Sequence, residues 1–360
     1  MKGFDYNQVV ISGISCVLPE VRKETRDYIG VFEEKDIEKF IETTGIKQRY
    51  LSNGKQTASD LCCVAAKRLM EHKGLTGEDI DALIFITQDP DYKVPSTAFT
   101  LHKRLGIQKE CLTFDVNVGC SGFTVGLTFL GGLIQGGLVN RALLLIGDAM
   151  LYPPQNDDLT DSLMFGAAGT ATLLEKGEGR MYGANMSDGT GYNVIMAPIP
   201  GARFPDMVHP KGTPDTYMIN DDTFLFTITQ VPKLFKEFFK KYECSMDDFD
   251  YCMLHQPNLM ILKQIAKRVK IADEKLHVSL DKYGNTDGAT IPLGIADLCQ
   301  ELNEERTLKL ICSGFGVGLS WAVVAFDLNT CDVLPIISTD EYWEEGFEAI
   351  KCMGAMEPKE

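Results

Sequence analysis

Apolar residues fall in short runs separated by segments with helical spacing. VVISGIS (9–15), ALIFIT (82–87), LTFDVN (112–117), ALLLIG (142–147) and TATLLEK (170–176) read as strands. Helical patterns fill the intervals at Thr57–His72, at Ser96–Leu105 and from Ser121 onward. Strands this uniformly apolar are covered on both faces, and their alternation with helices calls for an α/β fold with a mostly parallel sheet. The second half repeats the order. A helix is expected over Lys233–Tyr242, a strand ending in DDFDYCMLHQP (247–257), a helix over Leu259–Val269, a strand at LHVSL (276–280) and a helix over Ile291–Leu302. TLKLICSGF (307–315) and AVVAFDL (322–328) supply the last strands.

The two halves also resemble each other locally. GEDIDALIFITQDP (77–90) parallels MDDFDYCMLHQP (246–257), which sets Asp81 at Asp250 and Ile86 opposite His255. Farther on, FDVNVGCSGF (114–123) parallels DKYGNTDGA (281–289), with Cys120 opposite Asn285. The order of these matches predicts an internal duplication of an α/β unit. One half spans residues 1–177 and the other 178–329, and an acidic extension follows over 330–360. The stretch Glu178–Asp221 is rich in Gly, Pro, Asn and Asp and reads as a long excursion able to cover a site.

Composition narrows the function. Net charge is −16, from 51 acidic against 35 basic residues, and no basic run offsets it. Phosphate backbones need a surplus of Lys and Arg, so no nucleic-acid partner is expected. The eleven cysteines are scattered, odd in number and free of any CxxC pair. That pattern fits reduced thiols in a cytoplasmic protein rather than a zinc site or a disulfide framework. The sequence MKGFDYNQVVISG holds no signal-peptide core. The longest candidate for a membrane helix, Phe123–Val139, is interrupted by five glycines, so no membrane span is expected.

Three polar residues stand out by position. Cys120 follows the strand LTFDVN and opens a helix, where the macrodipole and free N–H groups favour a thiolate. A buried inert cysteine is the plain alternative. His255 ends a strand just before Pro257, the only one of five histidines at a strand end preceding a helix, where α/β sites gather. A satisfied structural histidine fits the same position. Asn285 lies in YGNTDGATIPL, a glycine-rich strand-to-helix junction, as a turn residue or as an amide donor to a developing oxyanion. SGFGVGLSWA (313–322) is a further close-approach segment and not a dinucleotide fingerprint.

Taken together, these segments resemble the β-ketoacyl-ACP synthase III family from about Gln8 to Leu328. The shared motifs include GISCVLPE, TTGIKQRY, FDVNVGCSGF, FGAAGTATLL, LHQPN, YGNTDGATIPL and SGFGVGLSWA. The resemblance implies a thiolase fold, five layers αβαβα from two duplicated halves, as a homodimer. It implies that Cys120 takes an acyl group from an acyl-CoA or acyl-carrier thioester, with the backbone N–H groups of Cys120 and Val317 as oxyanion donors. His255 and Asn285 would then hold the carbonyl of a malonyl unit on acyl carrier protein during decarboxylation and condensation. Phe123 and Val94 would belong to the substrate pocket, Val94 from across the dimer. No cofactor and no metal is implied. Several positions depart from the family pattern. Lys39 and Thr43 stand where a Trp and an Arg flank coenzyme A, and Met260 replaces a carrier-docking Arg, near Lys263, Lys267 and Arg268. These changes motivate a second reading, acyl transfer to a hydroxyl or amine acceptor. A third, a non-catalytic partner in a synthase complex, is disfavoured by the retained Cys120.

Overall fold

A computed structural model describes residues 1–149, 159–197, 201–203, 216–346 and 348. His209 and much of the acidic tail lie outside them. Two main sheets form the frame. The first has six strands in the order Ile337–Thr339, Val9–Pro19, Ala168–Lys176, Arg141–Asp148, Ala82–Ile86, Leu112–Val116. The second has five, ordered Phe4–Tyr6, Met181–Ser187, Ser320–Asn329, Thr307–Gly316, Tyr251–Leu254. Corresponding strands of the two halves occupy the same positions, as duplication requires.

Each interior strand is apolar throughout because each sheet is covered on both faces. Ala82, Ile84 and Ile86 face inward with Leu144 and Ile146, while Leu83 and Phe85 face outward with Leu143 and Leu145. The helix Ala58–His72 covers the outer face through Leu61, Cys62, Ala65 and Leu69. On the second sheet the outer cover is Asn220–Tyr242 and Leu259–Val269, through Phe235, Phe238, Leu262 and Ile265. Between the sheets lie the helices Gly122–Gln135 and Thr290–Leu302, whose Leu127, Leu130, Ile291 and Ile295 share one core with strands of both sheets. The result is the five-layer thiolase arrangement. Glycine makes the central layer possible: a Cβ at Gly126 would lie 2.6 Å from Leu144 Cδ1. Of the glycines that interrupt the apolar run 123–139, Gly126 and Gly131 thus serve packing, against Leu144 and Tyr6.

Four expectations need correction. The sheets are mixed rather than mostly parallel. Ala82–Ile86 runs parallel to both its neighbours, but Ala168–Lys176 and Ser320–Asn329 pair antiparallel on both sides. Residues 276–280 form no ladder strand. Leu276 makes a single bridge to Cys252, and the Gln256 side-chain oxygen takes the N–H groups of Ser279 and Leu280 at 2.9 and 3.0 Å. The helix expected at Lys233 begins at Asn220 and runs through Pro232. The excursion is also shorter than its composition suggests, since Met181–Ser187 is a paired interior strand. Among the described residues, no helix is long and apolar enough to cross a membrane.

Candidate active site

The two central helices bring the singled-out residues together. Cys120 sits between the strand Leu112–Val116 and the helix Gly122–Gln135, one residue before its N-cap, Ser121. The Ser121 hydroxyl lies 2.6 Å from that of Ser320, which donates to the Val317 carbonyl at 2.8 Å. This pins the turn after Gly316 against the nucleophile. The backbone N–H groups of Val317 and of Cys120 itself then reach the Cys120 sulfur and favour its charged form. Gly316 is needed for the approach, because a Cβ there would fall 2.7 Å from Cys120 Sγ.

His255 follows the strand Tyr251–Leu254, its N–H bonded to the Ser313 carbonyl at 2.8 Å. It is 1 % exposed, and its ring packs edge-on to Phe315 with centroids 5.4 Å apart. Burial drives its pKa down to about 3, so the ring is neutral at physiological pH. Its Nδ1 is 2.9 Å from Thr290 Oγ1, which is also 2.8 Å from the Asp287 carbonyl. The Thr290 hydroxyl donates to that carbonyl, which leaves the ring proton on Nδ1; turning the hydroxyl to Nδ1 moves the ring proton to Nε2, the tautomer that a donor role needs.

Asn285 is held by its backbone. Its N–H donates to Met164 O at 3.0 Å and its carbonyl accepts from Gly166 N–H at 2.9 Å. Its side-chain oxygen accepts the Asp287 N–H at 3.0 Å. That assignment leaves the amide N–H₂ as the end available to an incoming oxygen.

Sequence reasoning missed Asp287. This residue ties the site together: its N–H orients Asn285, its carbonyl meets the Thr290 hydroxyl beside His255, and its carboxylate accepts a hydrogen bond from the Cys120 thiol. It is 2 % exposed and holds φ +48°, a region that Asp tolerates better than most residues. In the sequence it stood unremarked within YGNTDGATIPL. The signal lay in its place two residues after Asn285 and three before Thr290.

Asp287 also overturns the expected charge of Cys120. Burial first, then the Asp287 carboxylate, push the thiol's pKa well up, against the two backbone N–H groups. The helix-start position does not win. Asp148 lies nearby, accepting from Thr87 Oγ1 at 3.0 Å and from Gln88 N–H at 2.8 Å. Burial and the neighbouring Asp287 hold Asp148 well above the carboxylate range. Phe123 is fully buried beside Phe326, and Val94 is 81 % exposed. His277, Asp297 and Glu301 approach one another, but Lys282 already bridges the two carboxylates and Tyr283 donates to Asp297. They form a salt-bridged cluster that ties Lys282 and Tyr283 to the helix Thr290–Leu302.

Comparison with known proteins places the chain in a family. Family models described as 3-oxoacyl-[acyl-carrier-protein] synthase III, and as its C-terminal part, match residues 114–189 and 239–328. A β-ketoacyl-[acyl-carrier-protein] synthase III of Rhizobium rhizogenes is 31% identical over 88% of this chain and 98% of its own. The enzyme of the same name from Clostridioides difficile is 29% identical over 86% and 95%. The crystal structure of a 3-oxoacyl-(acyl-carrier protein) synthase from Burkholderia xenovorans LB400 superposes with a TM-score of 0.87 at 32% identity, covering 94% of this chain and 99% of that one. By sequence along nearly its whole length, and by fold, the chain belongs to the β-ketoacyl-[acyl-carrier-protein] synthase III family.

Proposed function

We propose that this enzyme transfers an acyl group from a CoA or carrier thioester to Cys120 and condenses it with a malonyl-carrier thioester. The observation that carries the reading is the pair of backbone N–H groups, from Cys120 and Val317, converging on the Cys120 sulfur. Donors so placed stabilise the oxyanion formed when that sulfur attacks a thioester carbonyl. Collapse of the adduct expels the donor thiol and leaves acyl-Cys120. In the second half the malonyl unit loses CO2, and its bonding electrons pass to the thioester oxygen as an enolate. Neutral His255 and the Asn285 amide donate to that oxygen. The enolate carbon attacks the acyl carbonyl, the carbon–sulfur bond to Cys120 breaks, and a 3-oxoacyl thioester departs. A neutral His255 suits a hydrogen-bond donor that must not compete as a cation for the carboxylate.

Val94 and Phe123 are proposed as pocket residues. A homodimer is supported by the apolar surface around the edge strand Leu112–Val116, where Val94, Phe99, Leu112 and Phe129 are exposed. The acidic carrier would dock on the exposed Lys263, Lys267 and Arg268 of the helix Leu259–Val269. Free cysteines among the described residues support a cytoplasmic location.

The test incubates the protein with a panel of acyl donors and malonyl carrier, following acyl-Cys120 by intact mass and release of CO2. Acyl-enzyme that malonyl carrier discharges to a 3-oxoacyl product is expected. Discharge only by hydroxyl or amine acceptors would replace condensation by simple acyl transfer. Absence of any adduct across the panel would remove both.

A further inference from the structure

The mechanism above gives the Cys120 proton no destination. His255 is an unsuitable acceptor, since burial disfavours its protonated ring. Asp287 is the acidic group against the thiol. Its carboxylate acts directly on the thiol, its Oδ2 faces Gly119 next to the nucleophile, and its Oδ1 is buried without a partner. A Cβ at Gly119 would fall 2.9 Å from that Oδ2, so glycine there gives the carboxylate its place. We infer that Asp287 is the proton acceptor of the acylation step, taking the Cys120 proton as sulfur attacks and returning it to the departing thiol. This inference rests on the proposed acyl transfer.

The step balances. The Cys120 S–H bond breaks and its proton goes to an Asp287 oxygen, while sulfur bonds to the acyl carbon. As the donor's carbon–sulfur bond breaks, its thiolate takes that proton from Asp287. Asp287 ends as it began, and no oxidant or further reactant is needed. The acceptor matters at the attack, because the thiolate and not the thiol is the nucleophile, and burial beside a carboxylate disfavours a standing thiolate.

The surroundings suit this role. The groups facing Asp287 are Cys120 beside the nucleophile helix, Asp148 on the strand Arg141–Asp148, and the Thr290–His255 pair at its backbone carbonyl. Asp89 acts in turn on Asp148. Two buried carboxyls this close cannot both ionise readily. The pair holds a proton between its two carboxyls, and Asp287 is free to receive the thiol's proton whenever that shared proton rests on Asp148.

The test compares wild type with Asp287→Asn, reading two rates on Cys120 from pH 5 to 10. Alkylation by iodoacetamide reports the thiol, and single-turnover acylation by an acyl thioester reports proton transfer. Because Asp287 opposes thiolate, the variant should alkylate faster at pH 7, with its inflection moved to lower pH. Its acylation should fall at least about tenfold, the lower end expected for losing a positioned acid–base group. A structural role would slow both together, and acylation within twofold of wild type would also overturn the inference. If the variant does not fold, wild type alone decides: acylation should rise with an inflection in the mildly acid range, below the one that alkylation shows. Coincidence of the two inflections refutes it. If wild type takes no acyl group from any donor, the proposed function fails on its own account. The alkylation shift then still decides the Cys120–Asp287 pair, and an unmoved inflection overturns it.

Discussion

Gly316→Ala is the most direct perturbation of nucleophile placement. The new Cβ would lie 2.7 Å from both the Cβ and the Sγ of Cys120. Ordinary carbon–carbon contact begins at about 3.5 Å, so one partner must move by about 1 Å. Rotating the Cys120 side chain relocates Sγ but leaves Cβ where it is. The nucleophile itself must therefore shift relative to the N–H groups of Val317 and Cys120. A displacement of that size costs about 100-fold in rate, equivalent to about 2.7 kcal/mol of transition-state stabilisation. The assay is acylation of Cys120 under single-turnover conditions, with thermal unfolding of the same samples. The neighbouring Gly314→Ala is an informative companion, because its Cβ would meet Ser121 Cα and Thr124 Oγ1 at 2.8 Å. It should destabilise by about 1–3 kcal/mol by overpacking the helix start. Gly316→Ala acylating within threefold of wild type would refute the reasoning, since it would mean that the turn yields at no cost to the site.

Other consequences can be checked separately. Thr290→Val removes the hydroxyl beside His255 Nδ1; condensation should fall about 10–100-fold while Cys120 acylation stays within a few fold, measured as isolated half-reactions. His255 has a folded pKa near 3 against about 6.5 unfolded, so the unfolded chain binds more protons between those values. Its contribution to stability is complete above about pH 6.5 and is lost by about 1.4 kcal/mol per pH unit as pH falls. The raised carboxyls Asp148 and Asp287 act in the opposite sense, so the measurement is the difference in slope between wild type and His255→Gln in denaturant titrations at pH 4.5–6.5. Arg104→Gln leaves the buried Asp60 without its 2.8 Å partner and should cost about 3 kcal/mol in chemical denaturation. Lys267→Glu with Arg268→Glu should raise KM for carrier-borne but not CoA-borne donors, with a salt-dependent effect in steady-state assays.

Much of this architecture was legible because interior strands covered on both faces leave a plain apolar record. ALIFIT and ALLLIG could hardly be anything else, and the duplicated order paired Cys120 with Asn285 before any coordinates. The parts that escaped were decided by individual side chains. Gln256 supplies acceptors that a strand partner would otherwise provide, so LHVSL reads as a strand and is not one. The antiparallel strands carry the same apolar signature as the parallel ones, and direction leaves no trace in composition. At the site, the position of Cys120 was visible but its charge was not. The helix-start argument counts the backbone alone, whereas burial, and after it a carboxylate from residue 287 in the other half, outweigh it.

The termini cross between the halves, and this bears on how the chain comes together. Phe4–Tyr6 pairs with Met181–Gly183, and Tyr242 Oη bridges Phe4 O and Gly183 O at 2.7 and 2.9 Å. Ile337–Thr339 closes the first sheet from the far end of the chain. During synthesis at roughly 5–20 residues per second, the first strand waits on the order of ten to forty seconds for its partner. The first sheet, for its part, has an open edge until the last strand emerges. Cutting at the boundary between halves would thus leave each fragment missing a strand held by the other, and reassembly of two separately expressed halves would have to exchange both.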